Sequence, residues 1–226
     1  MELLKKRGVF LYLIILIAHC TVIYMDLSVW RFYTKLLLIP ILLILFLISY
    51  TGIKTGKRFF LPIIALLGAF MGDLLLAFDG AQFFLLGMIG FMITHICNSM
   101  YFYSLNKIHL KIATHAKWAM LVLSLVCSLI IFLIKENSGT FFLPIIVYMI
   151  LIAIMAILSA NLADSIKYNH PAVHYFIPGA ILFVLSDGLL AINKFNLQDP
   201  KMDIFVMLTY GLAQLYLVMG YYKTKY

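Results

Sequence analysis

The sequence predicts an all-α membrane protein, a bundle of eight transmembrane helices. Of its 226 residues, 65% are hydrophobic and only 12% are charged, and the mean hydropathy is +1.06. A water-soluble domain of this length would have too little polar surface to cover such a core. The apolar residues come in runs of about 18–23, close to the roughly 20 that a helix needs to cross the hydrocarbon. No run alternates polar and apolar residues as a barrel strand would.

Clusters of charged residues, Gly and Pro separate the eight spans, which we expect to form one domain over residues 1–226. The predicted spans are 8–25, 32–50, 59–78, 82–104, 112–134, 140–162, 172–194 and 202–222. The first span follows a basic cluster as a signal peptide would, but no small-x-small cleavage site follows, so we expect a retained helix. Four prolines lie inside spans, where neighbouring helices can satisfy the carbonyl groups that proline leaves free. They are Pro40, Pro62, Pro144 and Pro178.

The distribution of Lys and Arg predicts the orientation of the chain in the cell (plasma) membrane. Twelve of the 17 basic residues fall on the side that holds both termini. The other five are Arg31, Lys35, Lys135, Lys194 and Lys201. Because positive charge is retained on the cytoplasmic side, we expect both termini in the cytoplasm. The formal net charge of +8 is therefore attributed to membrane orientation, and no nucleic-acid partner is expected.

Two acids inside apolar spans, Asp73 and Asp187, indicate a functional site. A charged side chain at the centre of a spanning helix costs roughly 2.5–3.5 kcal/mol on insertion scales, and such residues usually face a protein interior or a water-filled cavity. The acids occur in the similar motifs GDLLLA (72–77) and SDGLLA (186–191), 114 residues apart. We predict one shared polar cavity in the half nearer the non-cytoplasmic face. The alternative is that each acid only makes a hydrogen bond between two helices.

The spacing of the two motifs is compatible with a four-plus-four parallel repeat. The alternative is convergence of two Leu-rich helices.

Two lysines are candidates for the polar cavity predicted around Asp73 and Asp187. Lys35 begins the second span on the side of both acids and could pair with one of them, or extend its amine to the interface. Lys194 follows Asp187 by two helical turns, and extension to the interface is the favoured interpretation for it.

Five uncharged or weakly basic residues complete the set of substrate-binding candidates. His95 lies mid-span in the fourth helix, with Asn98 one turn later on the same face; the alternative for His95 is a hydrogen bond between helices. Tyr210 and Gln214 share a face of the last span and could line the same cavity. Tyr175 lies near the end of its span, where a solvated position is the default.

No motif indicates a metal ion or a cofactor. The sequence has no HExxH or paired-His pattern, so neither a metal site nor a cofactor is expected. It also has no nucleophile elbow, Gly-rich phosphate loop or CxxC pair.

From these residues the chain resembles the YhhN-like family of lysoplasmalogenases over nearly its whole length. The resemblance is carried by Gly72-Asp73, the His95 helix, the YFxPG pattern at 175–179 with Ser186-Asp187, residues 193–195, and Thr209-Tyr210 with Ala213-Gln214. One departure is Asn98, where an aromatic residue is expected. Characterised members of this polytopic family hydrolyse the vinyl-ether bond of lysoplasmalogens, releasing a fatty aldehyde and glycerophosphoethanolamine or glycerophosphocholine. The resemblance implies that Asp73 and Asp187 are the catalytic acids and that a lysophospholipid substrate and membrane lipid are the binding partners.

Paired carboxyl groups suit this chemistry. Vinyl-ether hydrolysis begins with proton transfer to carbon, which gives an oxocarbenium ion to which water adds. A desolvated carboxyl group that stays protonated near neutral pH can supply the proton, and an ionised one can stabilise the cation. The sequence does not assign these two roles between the acids. The alternative function is a proton-coupled transporter or a lipid-binding membrane protein that uses the same paired acids.

Overall fold

The computed structural model describes residues 2–49, 56–107 and 114–224. Within these ranges eight helices are long and apolar enough to cross a membrane, and no β-strand occurs. They are α1 (Glu2–Tyr24), α2 (Ser28–Ser49), α3 (Lys57–Leu75), α4 (Ala81–Leu105), α5 (Thr114–Ile134), α6 (Phe142–Asn161), α7 (Asn169–Leu197) and α8 (Met202–Lys223). The predicted fold class is confirmed, and each helix overlaps one predicted span. Three residues at the ends of predicted spans lie outside the described residues: Tyr50 at the end of the second span, and residues 112 and 113 at the start of the fifth.

Helix α7 is irregular at both ends. Residues Ala172–Phe176 and Asn193–Leu197 form π-helical turns, in which amide groups bond to carbonyl groups five residues back. Pro178 accounts for the first turn, because it has no N–H and its ring would clash with the carbonyl four residues earlier in a regular helix. Between the two turns, Ile177–Ile192 is a regular α-helix, and this is the stretch that carries Asp187.

Seven helices follow one another around the bundle. Each of α1, α2, α3, α4, α6, α7 and α8 packs against the next in this order, and α8 packs back against α1. Helix α5 lies outside this ring, against α6 and α7. Of its residues only Ala116, Ile130 and Ile134 are buried. A helix with so little buried surface is possible here because lipid, rather than water, solvates its apolar side chains.

Helices α3 and α4 approach each other closely because small residues face each other. A Cβ atom added to Gly90 would lie 2.7 Å from the backbone nitrogen of Gly72. Thr94 of α4 also donates a 2.8 Å hydrogen bond to a carbonyl of α3. In the α7–α8 pair, Ser186 donates a 3.0 Å hydrogen bond to the carbonyl of Val206. Close packing and such hydrogen bonds hold helices together in lipid, where the hydrophobic effect does not.

The direction of the helices puts the two intramembrane acids in the same half of the bundle. The α1–α2, α3–α4, α5–α6 and α7–α8 connections lie at one end, and the start of α1 and the end of α8, next to the chain termini, lie at the other. Asp73 lies two residues before the end of α3, and Asp187 lies ten residues before the end of α7. Both acids are therefore in the half nearer these four connections. The four-plus-four repeat stays a prediction.

Candidate active site

Asp73 is a buried acid with two polar partners from other helices. Its side chain is 3% exposed. The hydroxyl of Tyr210 on α8 donates a 2.7 Å hydrogen bond to Oδ2 of Asp73. The Nζ atom of Lys35 on α2 lies 3.6 Å from Oδ1. One oxygen of the carboxyl group thus faces a hydroxyl and the other faces an ammonium group.

Asp187, like Asp73, accepts a hydrogen bond from a tyrosine hydroxyl of another helix. The hydroxyl of Tyr148 on α6 donates a 2.6 Å hydrogen bond to Oδ2 of Asp187. Behind it, Nε2 of His95 on α4 lies 2.9 Å from the same hydroxyl and 3.5 Å from Oδ2. Since the single proton of Tyr148 is directed to Asp187, the histidine nitrogen must donate to the tyrosine oxygen. His95 and Tyr148 therefore form a chain of hydrogen bonds that ends on Asp187.

The two acids line one cavity of about 670 Å³ at the end of the bundle that holds the α1–α2 and α7–α8 connections. The rest of its wall combines basic, acidic and apolar residues. The wall includes Arg31, Lys35, Leu76, Asp79, Phe84, Phe91, Ser186, Leu190, Asn193, Lys194, Asp199, Asp203, Val206, Met207 and Tyr210. A water-filled space of this size would solvate charges that lipid could not, which accounts for two acids within apolar helices.

Hydrogen bonds across its rim hold the mouth of the cavity together. Arg31 of α2 forms a 2.5 Å ion pair with Asp203 of α8. Asn193 of α7 donates a 2.9 Å hydrogen bond to the same carboxyl group. Lys194 lies with its ammonium group 5.5 Å from the centre of the Phe84 ring, in a cation–π contact. Lys194 lines the cavity wall with an exposed side chain, and its extension to the interface stays a prediction.

A second, narrow and apolar cleft of about 50 Å³ meets the polar cavity at Asp187. Asp187 and four apolar residues, Leu76, Phe84, Phe91 and Leu190, are common to both walls. From there the cleft is lined by residues of α4, α5, α6 and α7, including Met88, Cys127, Ile130, Ile145, Tyr148, Met149, Ile152 and Val184. Of the described residues that line the cleft, Asp187 alone is acidic. Polar and charged groups therefore lie on one side of Asp187 and apolar groups on the other.

The structure brings most of the candidate site residues together. Asp73, Asp187, Lys35, Lys194 and Tyr210 line the cavity directly. His95, which is 0% exposed, lies behind Asp187 and reaches it through Tyr148. Gln214 lies one turn beyond Tyr210 on α8, away from the mouth, and is buried.

Two candidates lie elsewhere, although the sequence grouped them with this site. Asn98 follows His95 along α4 away from the cavity, and its Oδ1 atom accepts a hydrogen bond from the hydroxyl of Tyr221. It holds α4 against α8 in the opposite half of the bundle. Tyr175 lies at the start of α7, in a separate furrow near the chain termini. The reason is helix direction, because the part of α7 that holds Tyr175 is at the end remote from Asp187.

Sequence reasoning missed Tyr148, Arg31 and Asp203 as parts of the site. Tyr148 is one of 14 tyrosines in the chain, and no motif distinguishes it. A usable signal nonetheless exists, because Tyr148 is the lone hydroxyl in the apolar stretch 142–157 of α6. An isolated polar group within such a stretch needs a partner from another helix. Arg31 and Asp203 are 172 residues apart, so their pairing is not apparent before the ring of helices is known.

Comparison with known proteins identifies the family. No curated protein and no solved structure matches the chain. The model of the YhhN family matches residues 30–221, which is most of the sequence and includes every residue that we describe in the cavity wall. The chain therefore belongs to the YhhN family.

Proposed function

We propose that this protein is a membrane-embedded hydrolase that cleaves the vinyl-ether bond of lysoplasmalogen. The products are a fatty aldehyde and glycerophosphoethanolamine or glycerophosphocholine. The observation that carries the proposal is the meeting of the polar cavity with the apolar cleft at Asp187, with a second acid, Asp73, in the wall of the same cavity. Membership of the YhhN family, matched over residues 30–221, supports it, because the sequence resembles the lysoplasmalogenases of that family.

The polarity of the site suits a lysolipid. The alkenyl chain would enter the apolar cleft, which is lined by α4, α5, α6 and α7, and the glycerophospho headgroup would occupy the polar cavity. Arg31, Lys35 and Lys194 line the cavity wall. Arg31 already has Asp203 as its partner and Lys35 has Asp73, so Lys194 is the cation that we expect to contact the phosphate. Because the vinyl ether joins the hydrocarbon chain to glycerol, a lysolipid bound in this way would have its vinyl ether at the junction where Asp187 lies.

The chemistry needs one proton donor and one water molecule. Proton transfer to the terminal carbon of the C=C–O unit gives an oxocarbenium ion, and water adds to its positive carbon. The added water loses a proton to a carboxylate, which gives the hemiacetal. The hemiacetal then collapses: its hydroxyl proton is removed, its bond to the glycerol oxygen breaks, and a carboxyl group returns a proton to that oxygen, which yields aldehyde and alcohol. Two carboxyl groups with different surroundings serve a related cation in glycosidases.

We assign the proton donor to Asp187 and the carboxylate to Asp73. Asp73 has the ammonium group of Lys35 at 3.6 Å, which favours a negative partner. Asp187 lies against the apolar cleft, next to the expected position of the vinyl ether. As Asp187 loses its proton, the hydroxyl of Tyr148 at 2.6 Å can stabilise the new carboxylate.

The test is to replace each acid alone, as Asp73→Asn and Asp187→Asn, in purified protein and measure aldehyde release from lysoplasmenylethanolamine. Each variant should lose about 100-fold or more of the rate, as expected for a general acid or base. Asp26→Asn is the matched control, because Asp26 is exposed and lies in the α1–α2 connection. Near wild-type release by either acid variant would contradict the assignment. Proton-dependent uptake of lysolipid into liposomes without aldehyde release would instead support the alternative function, a proton-coupled transporter.

We further propose that the protein is a multi-pass protein of the plasma membrane with both termini in the cytoplasm. The support is the excess of Lys and Arg on the side of the termini. The cavity lies at the end of the bundle opposite the termini, so the acids would be reached from the non-cytoplasmic side. A membrane-impermeant lysolipid added outside intact cells would then be hydrolysed without uptake.

A further inference from the structure

The end of the bundle that carries the termini has two apolar furrows, separate from the cavity and the cleft. The first, of about 340 Å³, lies between α1, α2 and α8 and includes Tyr175 of α7. The second, also of about 340 Å³, lies between α1 and α2. Both have Leu45 and Ser49 in their walls. The furrows therefore run along the two sides of one ridge on α2.

Leu45 forms this ridge because Gly8 of α1 has no side chain. A Cβ atom added to Gly8 would lie 2.1 Å from Cδ2 of Leu45. The remaining apolar wall of the first furrow is Val9, Phe46, Leu215, Val218 and Met219, and that of the second is Leu11, Ile41, Ile44 and Ile48. Two adjacent furrows match the two hydrocarbon chains of a diacyl lipid, whereas a lysolipid would fill one.

The charge of the furrows favours an anionic headgroup. Lys6 and Lys223 line the first furrow and Arg7 lines the second, and all three side chains are exposed. No Asp or Glu occurs among the described residues that line either furrow. The polar cavity around Asp73 and Asp187 differs from the furrows, since its wall contains several acids. Basic side chains close to a membrane surface attract anionic lipids.

We propose that these furrows bind one diacyl anionic phospholipid, with a chain on each side of Leu45 and the phosphate among Lys6, Arg7 and Lys223. This site does not depend on the proposed hydrolase function, because it shares no lining residue with the cavity or the cleft. It gives Tyr175 a place in the wall of a lipid site rather than in the substrate cavity.

Native mass spectrometry of the detergent-purified full-length protein tests the proposal. Dioleoyl phosphatidylglycerol and dioleoyl phosphatidylcholine are added at equal concentration, and the lipid-bound fractions are compared. We expect the phosphatidylglycerol complex to predominate. Lys6→Gln/Lys223→Gln should weaken it by about fivefold for each lysine removed. The control Lys117→Gln/Lys167→Gln removes the same charge from exposed positions at the same end of the bundle, outside both furrows, and should leave binding unchanged.

A second variant tests the two-chain geometry. Gly8→Leu places a side chain against Leu45 and into the second furrow, so binding of dioleoyl phosphatidylglycerol should fall while oleoyl lysophosphatidylglycerol is retained. Equal binding of phosphatidylglycerol and phosphatidylcholine by the wild type would overturn the proposal. So would full retention of phosphatidylglycerol by Lys6→Gln/Lys223→Gln. Retention of the diacyl lipid by Gly8→Leu would show that the second furrow is not occupied and would also overturn it.

Discussion

The hydroxyl of Tyr148 lies 2.6 Å from Oδ2 of Asp187 and donates a hydrogen bond to it. This contact joins α6 to α7 across the mouth of the apolar cleft, and His95 of α4 supports it from behind at 2.9 Å. Three helices thus fix the direction of one carboxyl group. The contact also gives Asp187 a donor that can stabilise negative charge without supplying a full positive charge.

Tyr148→Phe keeps the ring and removes the hydroxyl. We expect kcat for aldehyde release to fall about tenfold with little change in KM, because the bond to the carboxylate is strongest after the proton has left. Steady-state kinetics in detergent measures this, and Tyr24→Phe is the control since Tyr24 is 72% exposed. A kcat within about twofold of wild type would remove Tyr148 from the mechanism.

The contact between Lys35 and Asp73 can be tested by a double substitution. Lys35→Met leaves a buried carboxyl group without its ammonium partner, so the free energy of unfolding should fall by about 1–3 kcal/mol. Lys35→Met/Asp73→Asn removes both charges and should recover most of this stability, yet stay inactive. Thermal melts in detergent, together with the aldehyde assay, separate the two effects. If the losses of stability simply add, the two side chains do not interact.

Cys127 provides a native probe of the apolar cleft. It lines the cleft on α5 and is partly exposed. Octyl methanethiosulfonate would attach a hydrocarbon chain there and fill the space proposed for the substrate chain, so the modified protein should lose activity. Cys127→Ala should resist the reagent, and bound lysolipid should slow the modification. Inhibition that persists in Cys127→Ala but disappears in Cys20→Ala would place the sensitive thiol outside the cleft.

Gly90→Ala should lower the stability of the α3–α4 pair. The new Cβ would lie 2.7 Å from the backbone nitrogen of Gly72 and 2.8 Å from the carbonyl oxygen of Gly68, and the backbone cannot move aside without separating the helices. The expected loss is about 1–3 kcal/mol, typical of overpacking. Gly8→Ala is the comparison, because its Cβ meets the flexible end of the Leu45 side chain. Equal melting temperatures for the two variants would contradict this account.

Hydropathy alone predicted the eight spans, because the thickness of the hydrocarbon determines how long each apolar run must be. It could not predict the π-helical turns at the two ends of α7, of which the first depends on how Pro178 is accommodated. Nor could it predict that α5 lies outside the ring of the other seven helices, since the run of residues 114–134 is as apolar as its neighbours.

The polar residues show a similar limit at the level of the site. Asp73 and Asp187 stood out because an acid within an apolar run is costly wherever it lies. Tyr148 did not, because a tyrosine in such a run costs little until its hydroxyl is buried. Asn98 and Tyr175 were grouped with the site by face and motif, yet their depth in the membrane separates them from it. Depth relative to a cavity is a property of the packed bundle.

The position of α5 separates two requirements of the proposed lipid hydrolase. Seven helices close the ring without α5, so the contact of Lys35 with Asp73 and that of Tyr210 with Asp73 do not depend on it. The hydrocarbon cleft does depend on it, through Cys127 and Ile130. An outward movement of α5 would open the apolar cleft laterally to the bilayer and leave the contacts of the Asp73 carboxyl group undisturbed. In the proposed hydrolase, entry of the hydrocarbon chain and the alignment of Asp73 would therefore depend on different helices.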